Sequence, residues 1–359
     1  MLKIATVFSG IGAAEQALKQ MQIDFEIVFA CDNGERYVNI DVDKENKKME
    51  NLSNIDRKVL IEKLYKQSGK ENNVKKSYFA NYNIDENRWF EDIRFLNGRE
   101  FQNKIDLIVG GSPCQSFSTY GKRLGLEDTR GTLFYDYARI IKEVSPKAFI
   151  FENVTGLLNH DKGKTWETIK NVFEELHYKI EYDVLDAQDY DLPQMRKRLF
   201  VIGIREDINY TNLIFPLSKV PLSHTAEYYL ENNIPNKYYL GYKGFRYVTD
   251  HERNEGRARV NRNIIGCQTA NQQFNWTGDF RVEIPQKRHF EDKRIYIGEY
   301  ENRMSVARKL TPKECLNLMG FKDFNIVVTD QVMYRQVGNS IAVPVLIRIF
   351  DEILRRIEL

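Results

Sequence analysis

Short apolar runs alternate with longer amphipathic stretches over the first 205 residues of the chain. Continuous β-branched runs of four to eight residues are typical of strands buried on both faces of a parallel sheet. The predicted strands are 4–8, 27–31, 105–110, 148–152 and 199–204, and the predicted helices between them are 13–21, 133–144 and 166–176. This alternation predicts an α/β fold with a doubly wound, mostly parallel sheet, which binds ligands at the carboxyl ends of its strands.

Two segments interrupt the alternation. Residues 39–82 are rich in Lys, Glu and Asn, with one helical pattern at 59–65, and we interpret them as a surface insertion without a function. In residues 206–305 helical periodicity fades and Tyr, Asn, Gly and Arg increase, which indicates short strands and frequent turns. The α/β pattern then returns and ends in an apolar helix at 345–357. We therefore predict one domain made of residues 1–205 and 306–359, and a smaller, mostly β or irregular domain made of residues 206–305.

Composition narrows the class of protein. Hydrophobic residues make up 42% and charged residues 29% of the 359 positions, which is ordinary for a globular protein. We find no apolar run of bilayer length and no secretion signal before the first strand, so we expect a cytoplasmic protein with no membrane partner. The four cysteines form no C-x-x-C pair, so neither a metal site nor a disulfide framework is predicted. The net charge of +2 neither requires nor excludes nucleic acid.

The first strand leads into a glycine-containing turn that suits a ligand. The residues are Phe8, Ser9, Gly10, Ile11 and Gly12. Glycine lets the backbone approach a ligand closely, and the following helix offers free N–H groups. A dinucleotide site would need a third glycine where Glu15 stands, and a carboxylate would repel a pyrophosphate. The pattern favours a nucleoside without phosphates, although a tight turn without a ligand explains it equally well.

Two aspartates follow in the order that such a nucleoside requires. Asp32 comes after the second strand, where a carboxylate can accept hydrogen bonds from ribose hydroxyls. Asp92 precedes the strand that leads to Cys114 and could accept a bond from an adenine amino group, with Ile93 against the ring. Each acid alone is more typical of a turn or cap. Together they indicate S-adenosylmethionine.

The candidate reactive groups lie at or next to the ends of three of the predicted strands. Cys114 stands behind Pro113 at the tip of the strand 105–110, where a thiol is exposed and held on a stiff turn. Glu152 ends the next strand at the same edge of the sheet. Arg196 and Arg198 alternate on an extended segment, so both guanidinium groups are expected to point at one phosphate or one oxygen-rich base.

These motifs, taken in order, resemble those of the bacterial cytosine-C5 DNA methyltransferases. They are F-S-G-I-G, G-G-S-P-C-Q-S-F-S, E-N-V, Q-M-R-K-R, R-K-L-T-P-K-E-C-L-N-L-M-G-F and Y-R-Q-V-G-N-S-I-A-V-P-V. The linker R-G-T-L-F-Y-D-Y-A-R-I-I also fits, and the order agrees over nearly the whole chain. The resemblance implies a Rossmann-like S-adenosylmethionine-dependent methyltransferase domain with a target-recognition domain inserted in it. It also implies cofactor contacts at Pro113, Leu133, Asn339 and Ser340, the last two toward the methionine end.

The reaction is also implied by the resemblance. Cys114 would add to C6 of a flipped-out cytosine, and Glu152 would stabilise charge at N3. C5 would then take the methyl group, leaving S-adenosylhomocysteine as the second product. Arg198 would bind the base at O2, and Arg196 would bind backbone phosphate or brace the loop.

Residues 206–305 would then read a specific sequence in double-stranded DNA. The polar stretch 265–273 is the densest candidate. Members of the family usually carry Thr followed by Leu, Ile or Val here, and the nearest fits are Cys267-Gln268 and Thr269-Ala270, so the target site is not readable. Family habit suggests a monomer and a cognate restriction endonuclease as a functional partner.

Three alternatives remain at this point. The first is a tRNA cytosine-C5 methyltransferase from the same family, which the length of the variable segment disfavours. The second is a catalytically silent cofactor-binding regulator, which leaves the intact Cys114, Glu152 and arginines without a use. The third is a nicotinamide dehydrogenase, which Glu15 argues against.

Overall fold

The computed structural model of the chain describes residues 1–112, 133–210, 214–254 and 256–357. It divides into two compact units. The first comprises Met1–Leu185, Lys197–Ser218 and Val345–Leu359, and the second comprises Asp186–Arg196 and Lys219–Pro344.

A seven-stranded sheet forms the centre of the first unit. Its strands are β1 (Leu2–Val7), β2 (Phe25–Cys31), β3 (Trp89–Phe90), β4 (Leu107–Gly110), β5 (Ala148–Val154), β6 (Tyr178–Asp186) and β7 (Lys197–Arg205). The order across the sheet is β3-β2-β1-β4-β5-β7-β6. The first five strands in this order pair in parallel, whereas β7 is antiparallel to β5. The predicted α/β class with a mostly parallel sheet is confirmed, and each predicted strand lies within two residues of an observed one.

Among the described residues, six α-helices precede β6 along the chain. They are α1 (Ala13–Gln20), α2 (Val42–Lys48), α3 (Asn54–Lys66), α4 (Asn73–Phe79), α5 (Leu133–Val144) and α6 (Lys164–Glu175). Helix α5 buries Phe134, Tyr137, Ile141 and Val144, whose spacing of three to four residues places them on one face. Their face packs on β5 and α6 in the main hydrophobic core.

The segment 39–82 contains three helices rather than the single predicted one. Each begins at a capping side chain: Asp41, Ser53 and Asn72 accept a hydrogen bond from the backbone N–H three residues later. Helix α3 extends the predicted pattern at 59–65 by five residues toward its N-terminus, because Ser53 provides the cap there. Short helices with polar caps therefore explain why this segment shows little hydrophobic periodicity.

The second unit has its own small sheet. Its strands are β8 (Ala258–Val260), β9 (Gly278–Glu283), β10 (Ile297–Tyr300) and β11 (Arg303–Lys309), in the order β10-β11-β9-β8. The helices that follow α6 along the chain are α7 (Tyr242–Thr249), α8 (His251–Asn254), α9 (Lys287–Glu291), α10 (Pro312–Asn317), α11 (Asp330–Gly338) and α12 (Val343–Arg356). Leu240, Phe245, Val248, Phe280 and Ala307 form a core between this sheet and α7.

The bounds of the two units differ from those of the predicted domains, because residues 306–344 pack in the second unit. The predicted division was functional, a catalytic domain and a recognition domain, and it stays a prediction. Among the described residues, no helix has the length and apolarity needed to cross a membrane.

Candidate active site

The functional candidates of the first unit gather where its parallel strands end. Val7 of β1 is in register with Cys31 of β2 and Gly110 of β4, and Gly110 is in register with Phe151 of β5. Residues that follow these positions therefore meet at one edge of the sheet. They are the turn 8–12 after β1, Asp32 after β2, Asp92 after β3, Gly111 and Ser112 after β4, and Glu152 in β5.

The turn after β1 is tight and is tied to β2. Phe8, Gly10 and Gly12 have φ angles of 53°, 54° and 77°, a left-handed conformation that glycine adopts without strain. The Gly10 N–H donates to Asp32 Oδ2 at 2.9 Å, and Ser9 Oγ accepts from the Cys31 N–H at 3.0 Å. The turn and the first aspartate are thus held together, as the predicted site requires.

Asp32 is half-buried and already has two backbone donors. Its Oδ1 accepts from the Gly34 N–H at 2.8 Å, and its Oδ2 accepts from Gly10. Burial raises the pKa of Asp32, and these two N–H groups act in the opposite direction. Each carboxylate oxygen has a second lone pair that can accept from a hydroxyl.

Asp92 is 5% exposed and sits in a dense set of donors. Arg94 donates to both of its oxygens through Nε, and Tyr65 donates its hydroxyl to Oδ2 at 2.7 Å. The neighbouring turn is held by Arg139, which donates to the Ile93 carbonyl at 2.6 Å. Ile93 itself is 3% exposed and packs in the core, so its predicted contact with an adenine ring stays a prediction.

Glu15 does not face the turn as the sequence argument assumed. It is fully buried, and its Oε1 accepts from Thr6 Oγ1 at 2.9 Å and from the Tyr78 hydroxyl. Burial raises its pKa, which these hydrogen bonds only partly oppose. Glu15 therefore fills the space between α1 and its neighbours, and charge repulsion toward a ligand is not its role.

The predicted nucleophile Cys114 and its neighbour Pro113 lie outside the described residues. The two residues before Pro113 are well placed. A Cβ at Gly111 would lie 2.3 Å from the Glu152 carbonyl oxygen, so only glycine fits there. Asn153 donates through Nδ2 to the Ser112 carbonyl at 3.0 Å. Gly111 and Ser112, the last described residues before Cys114, therefore lie directly beside the end of β5.

Glu152 and Arg198 meet in the first unit. Arg198 Nε lies 3.2 Å from Glu152 Oε1, and the two side chains are 18% and 15% exposed. The antiparallel pairing of β5 with β7 brings them together, since Glu152 is opposite Phe200, two residues from Arg198. A carboxylate and a guanidinium in contact, partly open to solvent, can address two neighbouring polar atoms of one ligand.

Arg196 differs from Arg198 in its partners. It is 3% exposed and belongs to the second unit. Its guanidinium donates to the backbone carbonyls of Gln268 at 2.8 Å, Gly338 at 3.2 Å and Ser340 at 2.5 Å. These hydrogen bonds do not fit the expectation that both arginines point at one ligand. Of the two predicted roles of Arg196, bracing a loop fits them better.

The other residues predicted to contact the cofactor are Ile11, Leu133, Asn339 and Ser340. Asn339 ends α11 and Ser340 follows it, both in the second unit. Leu133 is the first residue of α5 and packs partly on the core, and Ile11 is 1% exposed. Their predicted roles stay predictions. Within the described ranges no group of three or more His, Cys, Asp or Glu side chains could hold a metal ion.

Comparison with known proteins identifies the family to which the chain belongs. The family model for C-5 cytosine-specific DNA methylases matches residues 2–355. The chain belongs to this family. It is a DNA cytosine-C5 methyltransferase, as the ordered motifs predicted.

The type II methyltransferase M1.ScrFI of Lactococcus lactis subsp. cremoris is 36% identical over 288 residues, which are 79% of this chain and 70% of that protein. M.HpaII of Haemophilus parainfluenzae is 34% identical over 301 residues, or 79% of this chain and 81% of that protein. The Dnmt2 methyltransferase of S. pombe superposes with a TM-score of 0.66 over 99% of this chain and 98% of that one, at 19% identity. That structural likeness shows the fold alone.

Sequence reasoning missed several polar residues that hold this methyltransferase's strand-end loops. They are Tyr65, Asn72, Tyr82, Arg94, Arg139 and Asn153. The signal that could have found the first three is the presence of aromatic and capping residues in a segment otherwise rich in Lys and Glu. Nothing in the local pattern indicates which distant backbone group each one binds.

Proposed function

We propose that this methyltransferase modifies a cytosine flipped out of double-stranded DNA, with S-adenosylmethionine as methyl donor and Cys114 as nucleophile. The observation that carries the proposal is the contact between Glu152 and Arg198. Glu152 is in β5, the strand next to the one that leads to Cys114, and Arg198 is in β7, on the other side of β5. N3 and O2 are neighbouring atoms of cytosine, so this pair suits one edge of the base.

The residues at the same edge fit the proposed cofactor. Asp32 and Asp92 follow adjacent strands and present only acceptors, whereas the ribose hydroxyls and the adenine amino group are donors. The left-handed turn at Gly10 and Gly12 allows the backbone to approach the nucleoside. When bound, S-adenosylmethionine supplies an electrophilic methyl group on a sulfonium, and S-adenosylhomocysteine remains after transfer.

This chain's own residues would activate the cytosine. The Cys114 thiolate forms a bond to C6, and electron density moves onto N3 and O2. Glu152 places a proton at N3, and Arg198 donates hydrogen bonds to O2, so the developing charge is stabilised in the ring. C5 becomes nucleophilic and gains the methyl group. Solvent water then takes the C5 proton as the C6–S bond breaks, so the C5–C6 double bond re-forms, Cys114 leaves as a thiolate, and Glu152 takes back the proton at N3.

The reacting atoms of a cytosine are inaccessible inside a duplex, so the base must leave the stack. We propose that residues 206–305 recognise the surrounding DNA sequence. In support, a cavity of about 400 Å³ in the second unit is lined by aromatic, amide and cationic side chains, which suit bases and phosphates. The lining residues are Tyr247, Arg257, Gln273, Asn275, Trp276 and Lys309.

We infer the biological role from the names of the relatives. Those most similar in sequence include type II methyltransferases, which supports a role in protecting host DNA within a restriction-modification system. A cognate endonuclease would then be a functional rather than a physical partner. We propose that the enzyme acts as a monomer in the cytoplasm.

Replacing the nucleophile tests the proposal. We expect Cys114→Ser to abolish methyl transfer to duplex DNA, since a serine hydroxyl is a far weaker nucleophile than a thiolate, and to leave cofactor binding intact. The measurement is incorporation of label from S-adenosylmethionine into duplex DNA and, in parallel, into tRNA. Cys315→Ala serves as the control, because this buried thiol lies in the second unit and should not affect chemistry.

Full activity of Cys114→Ser would overturn the nucleophile assignment. Label in tRNA but not in duplex DNA would replace the proposed substrate with the tRNA alternative. Bisulfite sequencing of DNA from the expression host would reveal the target sequence.

A further inference from the structure

The 39–82 segment, which carries no predicted function, contacts three loops of the proposed cofactor site in the first unit. One polar side chain of the segment reaches each loop: Tyr82 reaches the turn after β1, Asn72 the loop after β2, and Tyr65 the loop after β3. All three are nearly buried, at 8%, 7% and 1% exposed. A segment that only covered the surface would not need buried polar groups aimed at these three places.

Tyr82 holds the glycine turn. Its hydroxyl donates to the Gly12 carbonyl at 2.7 Å and lies 3.2 Å from the Ile11 carbonyl oxygen. Its ring also occupies the space beside Gly12, since a Cβ on Gly12 would lie 2.2 Å from Tyr82 Cε2. The conformation of the turn therefore depends on a residue seventy positions later.

Asn72 holds the Asp32 loop. Its Nδ2 donates to the Asp32 carbonyl at 2.8 Å and to Glu91 Oε2 at 2.8 Å, and its Oδ1 caps α4. Glu91 also pairs with Arg36, so the amide is part of a buried network at the ends of β2 and β3. One side chain thus links the start of α4 to the loops after two adjacent strands.

Tyr65 holds the carboxylate of Asp92. Its hydroxyl donates to Oδ2 at 2.7 Å, and burial together with the adjacent Asp92 charge raises the pKa of the phenol, so it remains a donor. Arg94 approaches the same carboxylate, and the two donors together determine its orientation. If one of these donors is lost, the orientation of the Asp92 carboxylate is less restrained, and a ligand amino group meets a less well placed acceptor.

We propose that the 39–82 segment is a positioning element of the cofactor site, and that Tyr65, Asn72 and Tyr82 determine how tightly an adenosine-containing cofactor binds. The inference rests on the proposed function, because it is that proposal which assigns the adenosine to Asp32 and Asp92. The three residues act through the groups that they hold, and none is required to touch the cofactor. The segment therefore determines affinity rather than the chemical step.

The test uses the full chain and S-adenosylhomocysteine as the probe. Tyr65→Phe and Tyr82→Phe each remove one hydroxyl and retain the ring. Isothermal titration calorimetry should show Kd raised about tenfold for Tyr65→Phe, since the lost bond is to a charged group, and a smaller rise for Tyr82→Phe. In steady-state assays KM for S-adenosylmethionine should rise in the same way, with kcat at saturation within about twofold of the unmodified protein.

Two controls separate positioning from stability. Tyr37→Phe removes the same hydroxyl from a tyrosine that is 80% exposed and should leave Kd unchanged. Ile61→Val weakens the hydrophobic core of the segment, where Ile61 is 3% exposed, and should lower Tm without changing Kd. Tm is measured for every variant, so that a folding defect is recognised.

Unchanged or tighter binding by Tyr65→Phe would overturn the inference, as would a rise in Kd for Ile61→Val equal to that for Tyr65→Phe. Failure of the unmodified protein to bind S-adenosylhomocysteine would overturn the cofactor assignment itself, and with it the inference. The two failures are distinguishable, because the first requires an unmodified protein that binds.

Discussion

Two segments interrupt the α/β alternation of this methyltransferase, and they are built differently. The 39–82 segment has three short helices and no strand of its own, and its apolar residues Met49, Ile61 and Tyr65 pack against Phe95 of the first unit. The 206–305 segment instead contributes three whole strands, the start of a fourth and most of a separate hydrophobic core to the second unit. One segment completes a neighbouring structure, and the other builds its own.

This difference indicates which of the two segments can tolerate amino-acid substitutions. A segment with its own sheet and core can vary its surface without moving distant groups, which suits a region that must read different DNA sequences. A segment whose buried hydroxyls and amides bond the loops of a ligand site cannot vary in this way. Polar composition alone does not separate the two cases.

The largest effect on stability is expected from a substitution inside the second unit, which has a hydrophobic core of its own. Arg308 is 1% exposed and pairs with Glu314, which is fully buried, and with Glu283. Arg308→Met leaves the Glu314 carboxylate buried without its cation and should lower the free energy of unfolding by about 3–5 kcal/mol. Urea unfolding followed by tryptophan fluorescence measures the loss. Arg294→Met, which breaks an exposed pair with Asp292 in the same unit, should have a far smaller effect.

An intermediate effect is expected where the 39–82 segment meets the glycine turn. Gly12→Ala places a methyl group against the Tyr82 ring, and overpacking of this kind costs about 1–3 kcal/mol. If that cost falls on the turn, Kd for S-adenosylhomocysteine rises by about ten- to a hundredfold. Gly69→Ala is the matched control, because Gly69 also has a positive φ, of 66°, but no atom lies within 4 Å of its added Cβ. If Gly12→Ala and Gly69→Ala bind S-adenosylhomocysteine equally well, the contact between Gly12 and Tyr82 does not influence binding, and the prediction is wrong.

The smallest expected effect is a change in pH dependence at Glu15. Burial raises its pKa in the folded state above the usual 4.5, so its contribution to stability is complete below that value and is lost as pH rises through the raised pKa. Glu15→Gln does not titrate at this position, so the Tm of this variant should rise relative to that of the unmodified protein as the pH increases above 4.5. Glu50→Gln, at an exposed position of the 39–82 segment, should show no such trend.

Much of the fold and part of the site follow from local patterns. The strands around Val7, Cys31 and Gly110 and the helix that begins at Leu133 are predicted by runs of apolar residues, whose period is a property of a few adjacent positions. Glu152 is recognisable because a carboxylate rarely ends an apolar strand. The strand order then places it beside the loop that leads to Cys114.

The partners of the buried polar groups do not follow from such patterns. Arg196 and Arg198 are two positions apart on an extended segment, yet one donates to the Gly338 and Ser340 carbonyls and the other pairs with Glu152. Glu15 turns into the interior because Thr6 and Tyr78 offer donors there.

The sequence by itself determined the family and most of the strands and helices of the first unit, and it supplied the candidate residues for the proposed reaction, because motif order and hydrophobic period are encoded locally. The tertiary structure alone decided that Tyr65, Asn72 and Tyr82 hold the loops after β3, β2 and β1. The physical reason is that a buried donor must find an acceptor, and in this fold the acceptors lie in loops 27 to 70 positions away along the chain.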